Sequence, residues 1–194
     1  MGVRTTFKST LISLLVSSWK FYYSLLANYQ SEWASGDRDA VVEWQSRQVN
    51  GLSIHTVWRQ QQLEFDESDK PDGNGMANWG RIWYAAENVP GMTRQADSDQ
   101  NCRQGFARSG RLNNNIDNQF RQVTDRWPVF AFSRDLFKVE QAPVRTLFSI
   151  GLAQTYAIQF LGNGGLHRKE SLWKSYWGDD SGVVSFVSCS GCTS

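Results

Sequence analysis

Between positions 95 and 127 the chain gathers Gln95, Asp97, Asp99, Arg103, Asp117, Arg121, Asp125 and Trp127 among small and amide residues. Carboxylates set beside arginines are held ionised and accept hydrogen bonds from ligand hydroxyls or amides, while a bidentate guanidinium can clamp a carboxylate. These residues form the candidate ligand or domain-interface cluster. The same pairs can instead do no more than pin long loops together, because buried Asp–Arg pairs commonly satisfy loop backbones. No catalytic set stands out. His55 and His167 are the two histidines and neither has a nucleophile context, and no Gly-x-Ser-x-Gly elbow occurs. Asp97-Ser98-Asp99-Gln100-Asn101 begins like a calcium loop, but Cys102 stands where the sharp turn needs Gly, and Arg108 where a bidentate Glu would close the cage. The turn at Gly162 is not followed by Gly-Lys-Ser/Thr, so it cradles no phosphate. No metal and no cofactor are expected.

Positioning such groups falls to a largely extended chain. Alternating segments punctuated by turns predict a mainly β fold, an antiparallel β sandwich with long loops and one short amphipathic helix. Leu52, Ile54, Thr56 and Trp58 share one parity while Leu63 and Phe65 share the other, which predicts a long strand kinked by a bulge or bend so that both sets face inward. Residues 127–132 are apolar on both parities apart from Pro128, as in a strand covered on both faces, between two sheets or under a neighbouring domain. Tyr156, Ile158 and Phe160 alternate with polar neighbours and lead into Gly162-Asn163-Gly164-Gly165, which predicts a half-buried strand and its turn. Within residues 166–177, Leu172, Trp173, Tyr176 and Trp177 recur at helical spacing, with His167, Arg168, Lys169 and Lys174 for the wet side. Residues 66–78 carry Pro71, acidic side chains, Gly73 and Gly75 without apolar periodicity and predict a mobile surface loop.

A chain of 194 residues with 40% hydrophobic content can bury one substantial core. The expected division is a leader at 1–30, a sandwich domain at 31–187 and an unstructured tail at 188–194. A net charge of +1, from 20 basic and 19 acidic residues, supplies no field to draw in a nucleic acid or an anionic membrane. Residues 11–16 form an apolar run behind Arg4 and Lys8, the order of a secretory signal, but Lys20 interrupts it; a signal peptide and a misassigned first exon both fit. The run is too short to span a membrane. Cys102, Cys189 and Cys192 are odd in number, and the last two read as incidental residues of a loose tail rather than a redox or zinc pair. Nine Trp residues in a chain that is 13% aromatic favour an aromatic β core over a sugar-stacking surface.

The order of residues in the middle of the chain carries a family likeness. Trp79-Gly80, Tyr84-Ala85, Gln95-Ala96-Asp97-Ser98-Asp99, Arg103-Gln104-Gly105-Phe106, Asn118-Gln119-Phe120-Arg121 and Asp125-Arg126-Trp127-Pro128 through Phe132 resemble the N-terminal domain of the fungal glutaminase A family. Further matches lie at Glu32-Trp33-Ala34-Ser35-Gly36-Asp37, Arg59-Gln60, Gln62-Leu63-Glu64-Phe65 and residues 172–176, so the likeness covers about residues 32–186. Two departures stand out. The family pattern reads Arg-Gly-Gln-Phe where this chain has Arg103-Gln104-Gly105-Phe106, which would move the one residue able to take a positive φ in a turn there, and a Gly commonly follows Asp-Leu where this chain has Phe137. The resemblance implies a secreted L-glutamine amidohydrolase in which a β-rich N-terminal domain precedes a helical-barrel catalytic domain like those of six-hairpin glycosidases. On that footing the chain is an accessory sandwich, truncated before its catalytic partner and inactive alone. The alternatives are a free-standing carbohydrate-binding module that uses exposed Trp platforms, and a degenerate fragment without activity. Glutamine and a carbohydrate are the ligands in view, and burial of Trp79, Trp83 and Trp127 discriminates between the first two classes.

Overall fold

A computed structural model describes residues 7–14, 21–35, 37–68, 76–139, 144–179 and 182. The alternating segments become strands β1 (Phe7–Leu14), β2 (Phe21–Gln30), β3 (Val41–Val49), β4 (Leu52–Arg59), β5 (Glu67–Ser68), β6 (Met76–Ala77), β7 (Arg81–Glu87), β8 (Met92–Ser98), β9 (Arg121–Gln122), β10 (Pro128–Val139), β11 (Val144–Ala153), β12 (Tyr156–Gly162) and β13 (Gly165–Glu170). Two helices, α1 (Asp99–Ser109) and α2 (Trp173–Trp177), and a 3-10 turn at Ser31–Ala34 accompany them. One sheet has the order β1-β11-β7-β4-β3-β9 and a second the order β2-β10-β8, while β12–β13 and β5–β6 pair as separate hairpins. The pairing between these strands is antiparallel, and a single-residue bridge between Ala96 and Ile116 is parallel.

The two larger sheets pack face to face over an aromatic core that includes Tyr29, Trp44, Tyr84, Phe130, Phe132 and Phe148. Full burial of a side chain the size of Phe130 or Phe132 contributes roughly 1.5–3 kcal/mol. β10 is apolar on both parities because both of its faces are covered. Phe130 and Phe132 point between the sheets, while Val129 and Ala131 pack under Cys102 of α1 and Leu112 just beyond it. The second cover is the chain's own helix rather than a neighbouring domain. Pro128 opens the strand, where its missing N–H costs no ladder bond. On the far face of the six-stranded sheet, Ile54, Trp83 and Ala153 pack against Trp173 of α2.

Several sequence expectations are corrected. The Leu52, Ile54, Thr56, Trp58 parity of β4 faces α2, and the opposite parity, Ser53, His55, Val57 and Arg59, faces the other sheet; Val57 belongs to the inter-sheet core while Leu52 and Ile54 belong to the outer cluster. Both faces of β4 are buried, so parity alone did not say which was the interior. The strand ends at Arg59 and does not continue, kinked, to Phe65. A helix at 99–109 adds to the one short helix expected, while the helix expected across 166–177 is confined to Trp173–Trp177, its first part being strand β13. The sandwich begins before residue 31: β2 pairs along β10, and Tyr29 is buried in the core. Residues 66–78 contribute the short β5–β6 pairing, with 69–75 outside the described residues, as are Cys189, Cys192 and the tail at 188–194. Ile158 and Phe160 are exposed, so the β12–β13 hairpin is wetter than the half-buried strand expected.

Turn chemistry fixes two points of register. Asn50 and Gly51 have φ of 49° and 75°, the paired left-handed residues of a tight two-residue hairpin joining β3 to β4. Phe137, where the family pattern has Gly, has φ 52° at the register shift between Asp135 and Lys138 of β10. A left-handed conformation costs a bulky L-residue about 1–2 kcal/mol, and the Phe137 side chain is half-exposed. Phe137→Gly is therefore expected to stabilise the domain by about 1 kcal/mol, seen as a higher urea midpoint; an unchanged or lower midpoint would mean that contact of the ring with Gly91 outweighs the strain.

Candidate functional site

The polar residues singled out in the sequence lie on β8 and α1, on the loop that leads from α1 to β10, and on β9 within that loop, which pairs at the edge of the six-stranded sheet. Ser98 caps α1 by accepting a hydrogen bond from the Asn101 N–H, and Gly110 closes it in a left-handed conformation. The Asp99 N–H meets the carbonyls of Arg126 and Trp127, tying the helix start to the loop that enters β10. Arg126 and Trp127 both have positive φ, 58° and 45°, a strained pair that turns the Trp127 ring outward, where it is 36% exposed and 5.9 Å from the Arg38 guanidinium. Gly105 lies inside α1, so the Arg103-Gln104-Gly105-Phe106 order makes helix and no turn.

These residues divide into three separate groups. Asp97 accepts from its neighbour's Ser98 N–H and from the side-chain amides of Gln95, Asn101 and Asn115, knotting β8 to α1 and to the loop after it. Asp99 and Arg103 pair at 2.7 Å along the exposed side of α1, one helical turn apart. Asp117 and Arg121 form the third group. Arg121, 5% exposed, donates to the Asp117 carboxylate at 2.5 Å and to the Gln119 and Asp125 carbonyls, and its guanidinium lies 5.3 Å from the Trp44 ring centre. Burial opposes ionisation of Asp117, but the Gln119 N–H and the Arg121 guanidinium outweigh it and hold the carboxyl below its ordinary value. Among the described residues no side-chain hydrogen bond or ion pair joins the three groups. Asp125 contributes its carbonyl to Arg121, while its side chain is exposed and pairs with Arg126 alone among the described residues.

A second concavity, absent from the sequence reading, lies on the outer face of the six-stranded sheet. It is a cleft of about 440 Å³ lined by Trp58, Gln60, Tyr156, Trp173 and Lys174 among others. Its back wall is rigid: the indole N–H groups of Trp79 and Trp173 donate to the carbonyls of Tyr156 and Gln154. Gly80 explains its place in the Trp79-Gly80 motif, since its φ is 103° and an added Cβ would lie 3.0 Å from the Ala153 carbonyl. No periodicity announces this site, because its residues come from β4, the 60–64 loop, the β11–β12 junction and α2. The family matches at Gln60, at Gln62 to Phe65, at Trp79-Gly80 and at 172–176 all reach it, but nothing in their order joins them into one site. Among the described residues no three His, Cys, Asp or Glu side chains group as metal ligands.

Fold and site together define a two-sheet antiparallel sandwich domain, with helices on its outer faces and its polar residues tied into loop-fixing knots. The chain belongs to the family described as a domain of unknown function, DUF5127, whose pattern matches residues 23–190. It is similar to glutaminase A of Aspergillus oryzae, 41% identical over 162 residues that make up 82% of this chain and 23% of that protein. It is also similar to a protein of Arthroderma benhamiae named as a probable glutaminase, 27% identical over 179 residues, 84% of this chain and 20% of that protein. The chain thus spans less than a quarter of the length of these relatives.

Proposed function

We propose that this sandwich is the N-terminal accessory domain of a secreted glutaminase A-like amidohydrolase, which converts L-glutamine to L-glutamate and ammonia. In this role it shapes or lids a site whose catalytic groups belong to a separate helical-barrel domain. The observation that carries the proposal is the match of most of this chain to a small fraction of glutaminase A. Two features support it. Trp79 and Trp83 are 6% and 3% exposed, so they serve the core and are not platforms of a free-standing carbohydrate module. The loop end instead presents Trp127 and Phe120, both partly exposed, on a backbone held rigid by Arg121, as suits a docking surface. The family likeness also supports the reading that the parent protein is secreted; no helix among the described residues is long and apolar enough to cross a membrane.

The purified chain is expected to release no ammonia from glutamine above the buffer rate, because no acid/base set with a polarising group is assembled among the described residues. Turnover lost on mutating Asp97 or Asp125 would overturn the proposal. The docking half has its own test. Since the Asp125 side chain is exposed, Asp125→Ala should shift the unfolding free energy of the lone domain by less than about 0.5 kcal/mol. The same change should weaken binding of a separately supplied barrel domain several-fold. Unchanged binding alongside a lowered urea midpoint would assign Asp125 to loop fixing and refute the docking role.

A further inference from the structure

The cleft on the outer face of the six-stranded sheet has a chemistry of its own, far from the knots around α1. Its volume, about 440 Å³, falls in the range of roughly 300–1,000 Å³ typical of small-ligand sites. Two half-buried aromatic side chains, Trp58 and Tyr156, line it, one from the sheet and one from the β11–β12 junction, and the Arg168 guanidinium lies 5.6 Å from the Tyr156 ring centre. The Arg81 guanidinium covers one side of the Trp58 ring at 4.8 Å, and the Trp58 N–H is taken by Glu43, so the indole is held in place from two sides.

The charges in the cleft select against an ionic ligand. Glu64 and Asp179 balance Arg81 and Lys174 in its lining. Glu64 is paired with Arg168 from β13 and Lys174 with Glu170, so two of the four are already neutralised by neighbours. What remains open to a ligand is hydrogen-bonding capacity of mixed sign. The Gln60 amide donates to Glu43, leaving its carbonyl oxygen with no donor among the described residues. Thr155 is exposed beside it, and Asp179 uses one carboxylate oxygen on the Gly182 N–H and keeps the other. Flat aromatic walls with uncharged or paired polar groups between them match a molecule with apolar C–H faces and hydroxyl edges. A nucleotide would bring a net negative charge that this lining leaves unmatched.

We infer that the cleft is a glycan-binding subsite for a short neutral oligosaccharide, with Trp58 and Tyr156 as stacking walls and Gln60, Thr155 and Asp179 reading hydroxyl groups. Such a subsite would tether the domain to polysaccharide and is independent of whether a companion domain hydrolyses glutamine. The rigid back wall built on Trp79 and Trp173 means that little ordering is required on binding.

The test titrates the full chain with cellotetraose, maltotetraose, mannotetraose and xylotetraose up to roughly 10 mM, following tryptophan fluorescence and amide chemical shifts. At least one of them is expected to bind saturably with a dissociation constant of about 0.1–1 mM, with shifts centred on residues 58–64, 153–156 and 174–179. Trp58→Ala should weaken binding about tenfold or more, Trp58→Tyr should retain it within about threefold, and Arg108→Ala on α1 should change nothing. If Trp58→Ala fails to fold by thermal melt, Thr155→Ala and Asp179→Ala, both at exposed positions, carry the test with an expected loss of about threefold or more. No saturable response to any of the four sugars, or a response unaffected by these variants, overturns the inference. So does a result in which a supplied barrel domain, and no sugar, shifts these amides, since the cleft would then be an interdomain contact.

Discussion

Arg121→Ala is expected to lower the stability of the isolated domain by about 3–5 kcal/mol, the usual cost of removing one partner from a buried ion pair. The side chain is 5% exposed and does several things at once. It neutralises Asp117 at 2.5 Å, satisfies the Gln119 and Asp125 carbonyls at 2.8 Å and 3.0 Å, and covers the Trp44 ring. Alanine would leave the Asp117 carboxylate 14% exposed without its cation, and two carbonyls short of a donor. Arg121→Lys keeps the charge but not the planar fork, so it should fall between wild type and alanine. Urea unfolding of the three proteins at neutral pH checks the order. A loss below about 1 kcal/mol for alanine would show that the loop from 117 to 127 holds its shape without this knot, and that Arg121 is not what makes the Trp127 surface rigid.

The same residue illustrates what the sequence made legible. Asp117, Arg121 and Asp125 were recognisable as a polar group because carboxylates and arginines recur within a few residues of one another. Their division from Asp97 and from Asp99–Arg103 was not, because it depends on α1. That helix presents few apolar residues to the core, chiefly Cys102 and Phe106, so periodicity barely marks it. Its ends were written more clearly than its middle: Ser98 before Asp99, and Gly110 after Ser109, are the cap residues that helix termini need. β10 was legible for the opposite reason, since a strand covered on both faces must be apolar on both parities. β4 shows the limit of parity. With helix and sheet covering its two faces, a Leu-Ile-Thr-Trp alternation cannot reveal that the side carrying Ser53 and His55 is the one between the sheets. The cleft at Trp58 was invisible because its lining is contributed by segments far apart in sequence.

His55 supplies the second large effect. It is fully buried between the sheets, with Nδ1 2.5 Å from the Ser46 hydroxyl and Nε2 3.4 Å from the Ala131 carbonyl, its ring against Phe132 and Phe130. The carbonyl requires a donor, which places the proton on Nε2 and lets Nδ1 accept from Ser46. Burial pulls the imidazole down from 6.5 to about 3; the Ala131 carbonyl works against the fall, and the Arg94 guanidinium adds to it. Between those values the unfolded chain binds a proton that the folded chain refuses, so stability rises with pH across this window and is lost as pH falls through it. The slope from this one group is about 1.4 kcal/mol per pH unit at most, or about 2–3 kcal/mol between pH 6.5 and pH 4.5. Asp117 adds a loss of the same direction only below its ordinary value of 3.8, outside that interval. His55→Gln keeps a donor and an acceptor without a titrating group, so its stability should vary far less with pH from 7 to 5. Urea midpoints measured at half-unit steps across that range compare the two slopes, and equal slopes would show that the imidazole between the sheets is protonated as readily as in the unfolded chain.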